Sequence, residues 1–247
     1  MKRLTLATFA AVLAFVPGTS LAQEVVLKVA HFLPPASTAQ QKILQPWCDK
    51  LGAESAGRIK CQIYPAMQLG GTPPQLFDQA RDGVADVIWT VPTYQSGRFT
   101  KSEIFELPFV TKTATGSAQA LWNYIQANSL DEFKGTKLIL AHVHDGALLH
   151  FKDKKVSTMD ELKGLKVRAP TRVGALVLTA LGATPVQMPV PQVTESLAKG
   201  VIDGVSVPWE VAPTIKLEEV ANVHLETAAN QKKFSNTIFV VAMNQAK

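Results

Sequence analysis

The sequence carries no G-x-S-x-G nucleophile elbow, no H-E-x-x-H pair, no phosphate-binding P-loop and no G-x-G-x-x-G fingerprint. The short motifs that announce serine-hydrolase, metalloprotease, nucleotide or dinucleotide chemistry are therefore missing, and no cofactor is implied. Cysteine is nearly absent: Cys48 and Cys61 are the two in the chain, with no metal-ligand spacing around them. Dense basic clusters are lacking as well. The tightest, "FKDKK" at 151–155, reads as a solvated loop and gives no reason to expect a nucleic-acid partner. Beyond the first two dozen residues, no apolar run is long enough to span a bilayer.

What is present begins with the N-terminus. Lys2 and Arg3 precede an apolar run from Leu4 to Val16, followed by Pro17, Gly18 and the small-residue sequence "SLA" ending at Ala22. This pattern predicts a secretory signal peptide over residues 1–22, cleaved before Gln23; an N-terminal anchor is the competing reading, for which the run is short. Loss of Lys2 and Arg3 leaves 23 basic residues against 20 acidic ones, a formal charge of +3. Export places the two cysteines in an oxidising compartment, and both a Cys48–Cys61 disulfide and two buried thiols remain open.

The chain then repeats a plan. "VLKVAHFLPPAST" at 26–38 and "GLKVRAPTRVG" at 164–174 each run from an apolar stretch into a proline-containing loop and a helical pattern. "FDQARDGVADVIWTVP" at 77–92 is echoed by "TESLAKGVIDGVSVPWE" at 194–210, each with Gly-Val-x-Asp before a short apolar run closed by proline. "RIKCQIYP" at 58–65 and "GATPVQMP" at 182–189 are the expected second strands. Both halves read strand, helix, strand, helix, strand, which predicts an α/β protein of two lobes with parallel strands and helices on their faces.

Ligands of open α/β sheets bind beyond the carboxyl ends of the strands. The loops around His31-Phe32-Leu33-Pro34 and Arg168-Ala169-Pro170-Thr171 should therefore face one another across a cleft. With Pro170 in the first turn of the following helix, free backbone N–H groups and the helix dipole favour an anion there. Arg168 adds a planar fork that matches a carboxylate. The alternative is an internal ion pair with Glu210 or Asp145. Arg172, in the first helical turn, is either a second cationic contact or simply solvated. Trp89, Tyr94 and Trp209 follow the two Gly-Val-x-Asp strands and are expected at the rim, with burial in the core as the competing role. Trp209 sits beside Glu210, so one could stack on a ligand while the other accepts a hydrogen bond. His150 in "LLHF" is expected to line the cleft. His142, His144 and Asp145 in "AHVHDG" allow a metal site, since residues two apart on a strand share a face, but no third ligand is evident and no metal is assigned.

Taken together, "LKVAH", "YPAMQLGG", "ARDGVADV", "FELPFV", "LKGLKVRAP" and "LAKGVIDGVSVPWE" resemble the DctP-type extracytoplasmic solute-binding proteins of TRAP (tripartite ATP-independent periplasmic) transporters, over essentially the whole mature chain. The resemblance implies a two-lobed periplasmic-binding-protein-like fold that closes by a hinge on an organic carboxylate and delivers it, in the periplasm, to TRAP permease subunits driven by an ion gradient. It implies no catalysis, and a monomer is the expected state. The family's ligand-clamping arginine matches Arg168. Lobe 1 is expected over 23–145, lobe 2 over 146–235 and a strand returning to lobe 1 over 236–247, with crossings near residues 145 and 235.

Two departures from the family pattern stand out. Where members for hydroxylated acids carry a second arginine and an asparagine, this chain holds Leu148 and Val207. A hydroxyl-rich ligand would be left with unpaired polar atoms, so a monocarboxylate with an apolar or aromatic body, such as an aromatic or α-keto acid, is expected. The sequence also stops at "NTIFVVAMNQAK", where the family continues with further helices, so a C-terminally shortened form is expected. Two other readings compete: an exported metal-assisted enzyme using His142, His144 and Asp145, and a sensory receptor of the same fold.

Overall fold

In a computed structural model, residues 24–227 and 234–247 are described; the expected signal peptide lies outside them. Two five-stranded mixed sheets organise the chain. The first half runs β1 (Val25–His31), α1 (Gln45–Glu54), β2 (Ile59–Tyr64), α2 (Leu76–Arg81) and β3 (Val87–Thr90), then α3 (Ala114–Tyr124) and β4 (Thr136–Val143). The second half runs β5 (Leu148–Phe151), β6 (Lys166–Ala169), α4 (Arg172–Ala180), β7 (Thr184–Gln187), α5 (Val193–Ala198), β8 (Gly204–Val207) and β9 (Val223–Leu225). The chain then returns to the first sheet as β10 (Ile238–Asn244).

Strand order is β2-β1-β3-β10-β4 in one sheet and β7-β6-β8-β5-β9 in the other. In each, four strands run parallel and the fourth in the order runs antiparallel to both of its neighbours. The fourth position is filled in the first sheet by β10, from the far end of the chain, and in the second by β5, the strand that directly follows β4. The chain therefore crosses between lobes twice, once between β4 and β5 and once between β9 and β10.

The repeated Gly-Val-x-Asp has a structural cause. Gly83 and Gly200 follow the ends of α2 and α5 with φ of +79° and +70°, the left-handed conformation that terminates a helix at low cost only for glycine. Three residues later, Asp86 accepts the backbone N–H of Lys28 at 2.8 Å and returns its own N–H to the Lys28 carbonyl at 2.9 Å. Asp203 does the same with Lys166, at 2.9 and 2.7 Å. Each aspartate thus clips the start of its lobe's third strand to the first and sets their parallel register.

Cys48 of α1 and Cys61 of β2 form a disulfide with Cα atoms 5.6 Å apart. One apolar core fills the first lobe and continues onto the inner face of the second sheet through Met188, Val190, Val205 and Val207. A smaller cluster, with Leu149, Phe151, Val167 and Leu178, covers that sheet's outer face. The helix expected to take Pro170 into its first turn starts later. Thr171 has extended backbone angles and caps α4, its Oγ1 accepting the Gly174 N–H, so Pro170 stays in the loop.

Candidate functional site

The two lobes enclose a cavity of about 190 Å³ between the carboxyl ends of β1 and β3 on one side and β6 and β8 on the other. Four near-parallel rings build its lobe 1 wall. Phe32 lies 5.1 Å from Trp89, Trp89 lies 4.9 Å from Phe239, and Phe239 lies 5.0 Å from His142, with interplanar angles of 27°, 11° and 12°. Sheet pairing explains the row, since Phe239 on β10 is directly opposite His142 on β4 and β10 also borders the strand carrying Trp89. Trp89 donates its indole N–H to His142 Nε2 at 3.0 Å, so the imidazole carries its proton on Nδ1, which faces the Val143 carbonyl at 3.4 Å. Burial lowers the pKa of His142 to about 4, and that of His144 likewise. Both are neutral at ordinary pH.

Lobe 2 supplies the charge. Arg168 is 2% exposed at the end of β6. Its Nε donates to the Met188 carbonyl and one Nη to the Ser206 carbonyl, each at 2.9 Å. The remaining Nη makes no hydrogen bond of normal geometry, and the neutral Tyr94 hydroxyl close to the guanidinium supplies no counter-ion. The arginine ion pairs among the described residues belong to Arg81, Arg98 and Arg172, so the expected alternative, pairing of Arg168 with Glu210 or Asp145, is not what the structure holds. Burial presses the Arg168 pKa downward and the Tyr94 hydroxyl acts in the opposite direction. A buried guanidinium without a counter-ion is costly, and two further buried polar atoms beside the cavity also lack partners, Ser206 Oγ and His144 Nδ1.

Phe32, Trp89, Tyr94, Arg168 and Glu210 all line this cavity. Tyr94 also bridges the lobes, its hydroxyl accepting the Val190 N–H at 3.2 Å. Three other candidates lie elsewhere. Trp209 turns away between Pro208 and Glu210, is 43% exposed, and packs on the rings of His150 and His224, both 4.8 Å away. His150 shares a sheet face with Arg168 through Val205, but β8 separates their strands, which puts them roughly 10 Å apart; its Nε2 donates to the Val207 carbonyl and its Nδ1 faces His224. Arg172 ion-pairs with Glu103 of lobe 1, the anion that offsets an arginine in the first turn of α4. Of the two positions read as apolar replacements, Val207 lines the cavity and Leu148 does not, Ala147 doing so instead.

Sequence reasoning missed Phe239, and it considered His142 and His144 only as metal ligands. Both ring nitrogens of His142 are occupied, by Trp89 and Val143, and among the described residues no group of three or more His, Cys, Asp or Glu could hold a metal. It also missed Glu106, which is 1% exposed and joins three segments. Its Oε1 accepts from the Thr93 hydroxyl at 2.6 Å and the Ile238 N–H at 3.2 Å, and its Oε2 accepts from the Thr171 hydroxyl of lobe 2 at 2.6 Å. Burial raises its pKa to about 7 against the pull of these donors.

The comparisons agree with this architecture. The family model for DctP, bacterial extracellular solute-binding protein, family 7, matches residues 29–247. A TRAP solute-binding protein from Rhodoferax ferrireducens T118, solved with copurified benzoate, is 47% identical and superposes with a TM-score of 0.88 over 90% of this chain and 69% of that one. A marine metagenome TRAP solute-binding protein from an unidentified microbe, described as specific for aromatic acid ligands and solved with 3-hydroxybenzoate, is 45% identical with a TM-score of 0.86, over 91% of this chain and 70% of that one. Among curated proteins, the outer membrane transporter protein TsaT of Comamonas testosteroni is 29% identical over 73% of this chain. The chain spans 53% of that protein's length. No helix among the described residues is long and apolar enough to cross a membrane.

Proposed function

The chain belongs to the DctP family of bacterial extracellular solute-binding proteins, family 7, and from that premise we propose that it is an exported receptor that closes on an aromatic monocarboxylate and hands it, unchanged, to a TRAP membrane permease. The observation that carries this reading is the unpartnered Nη of buried Arg168 at one end of an aromatic-walled cavity. A ligand carboxylate would supply the missing counter-ion and gain a charge-assisted hydrogen bond. Ser206 Oγ and His144 Nδ1 are the free polar atoms that could complete its shell.

Size and chemistry of the remaining space support an aromatic body. A cavity of roughly 150 Å³ admits benzene, so about 190 Å³ suits one ring with its carboxylate. Phe32, Trp89 and Phe239 offer that ring stacking or edge contacts. The ligands found in the two solved relatives, benzoate and 3-hydroxybenzoate, are of this class. Because both lobes line the cavity, entry and release require them to part about the two crossings, the hinge movement of periplasmic receptors. The permease as recipient follows from the family.

Trp89 makes binding visible. Titration of the protein with benzoate, pyruvate, succinate and a hexuronic acid should give saturable quenching of tryptophan fluorescence with benzoate foremost, and the benzoate should be recovered chemically intact. Strongest binding of the sugar acid, or turnover that a chelator abolishes, would overturn the reading.

A further inference from the structure

The cavity is lined by two charged side chains, Arg168 at its buried end and Glu210 at its exposed rim. They form no ion pair with each other, and the Glu210 carboxylate has neither a hydrogen-bond nor an ion-pair partner among the described residues. The lining histidines, His142 and His144, are neutral, with pKa values near 4. Partial desolvation and the neighbouring Asp145 carboxylate both raise the Glu210 pKa, and no cation offsets them. The cavity therefore sets one buried cation against one carboxylate that no cation offsets.

We propose that Glu210 is a specificity-determining residue: it accepts a hydrogen bond from a hydroxyl at the ligand end remote from the carboxylate, and it excludes ligands that carry a second carboxylate there. This rests on the proposed function, since it assumes that Arg168 takes the first carboxylate. One guanidinium balances one anion. A second carboxylate brought against Glu210 in the closed cleft would be desolvated beside a like charge, which opposes binding strongly. A phenolic hydroxyl meets a charged acceptor instead, the stronger kind of hydrogen bond. A monocarboxylate on its way in passes Glu210 only while the rim is solvated, where screening makes the repulsion small.

Calorimetric titration of wild type, Glu210→Gln and Glu210→Leu with benzoate, 3-hydroxybenzoate, 4-hydroxybenzoate and benzene-1,3-dicarboxylate tests this. In wild type, one of the hydroxybenzoates should bind about 10-fold tighter than benzoate, and the dicarboxylate on the order of 100-fold more weakly. Relative to benzoate, Glu210→Gln should improve dicarboxylate affinity about 10-fold or more, and Glu210→Leu should erase the hydroxyl preference. Unaltered selectivity in both variants, with benzoate binding intact, would overturn the role of Glu210 and leave the receptor reading standing. Absence of benzoate binding in wild type would overturn both.

Discussion

In one lobe the lysine and valine of the first strand are followed by Ala30; in the other, by Arg168. The positions correspond in the sheets, since Ala30 pairs with Tyr64 and Ile88 as Arg168 pairs with Val186 and Val205. The surroundings correspond as well, down to the aspartate that clips each first strand to its third. The lobes nevertheless do opposite work. Lobe 1 and its returning strand present a wall of rings, while lobe 2 presents the unpaired cation. A shared scaffold sets where a side chain will emerge, and single positions at the strand ends decide what chemistry emerges there.

The sharpest way to break this division is to remove the charge. Arg168→Met should lower benzoate affinity by about 100-fold or more, because truncating one partner of a buried charged hydrogen bond costs roughly 2–5 kcal/mol. The ligand-free protein should be no less stable, since an uncompensated buried charge has gone. Calorimetry and denaturant unfolding measure the two halves of that expectation.

Acidification should weaken both lobes. His142, His144 and His150 have folded pKa values lowered to about 4 by burial. From about pH 6.5 down to 4, the unfolded chain therefore binds more protons at these groups than the native one, and stability falls with pH. Glu106, raised to about 7, has the opposite sign: it stabilises below about 4.5 and loses that contribution as pH rises through 7. Three histidines outweigh one carboxyl, so the urea midpoint should drop between pH 6.5 and 4; a flat profile would contradict the neutral-histidine site.

Lobe 1 alone is cross-linked. Replacing Cys48 and Cys61 by serine should cost about 2–3 kcal/mol in the loop-entropy picture while leaving benzoate affinity nearly unchanged, because the bridge joins α1 to β2 away from the cavity. Asp86→Ala and Asp203→Ala should each cost about 1.5–3 kcal/mol, the range for hydrogen bonds to a charged group. Similar losses for the two would sharpen the equivalence of the lobes. Arg172→Ala should have the smallest effect on stability, because its pair with Glu103 is exposed on the arginine side and screened by solvent, with less than about a 3-fold change in affinity.

Much of this comparison was legible in the sequence, because its signals are local. The two Gly-Val-x-Asp segments give a helix end, a left-handed glycine and a strand start within four residues, and Arg168 could be placed from its position at a strand end. Phe239 was not legible: it reaches the cavity from the end of the chain, opposite His142 nearly a hundred residues earlier, and only the sheet order reveals it. Trp209 and His150 were misplaced for a related reason. Strand-end position does not say which way a residue after a proline will turn, nor how many strands separate two side chains that share a face. The contacts of Glu106 and Arg172 run between lobes and have no signature in either repeat.

The division of labour between lobes is tested most directly by a crystal structure of the protein with benzoate. The account predicts the carboxylate within hydrogen-bond distance of the free Nη of Arg168 and the ring against Phe32, Trp89 and Phe239. A carboxylate held by lobe 1, with Arg168 still unpartnered, would contradict it.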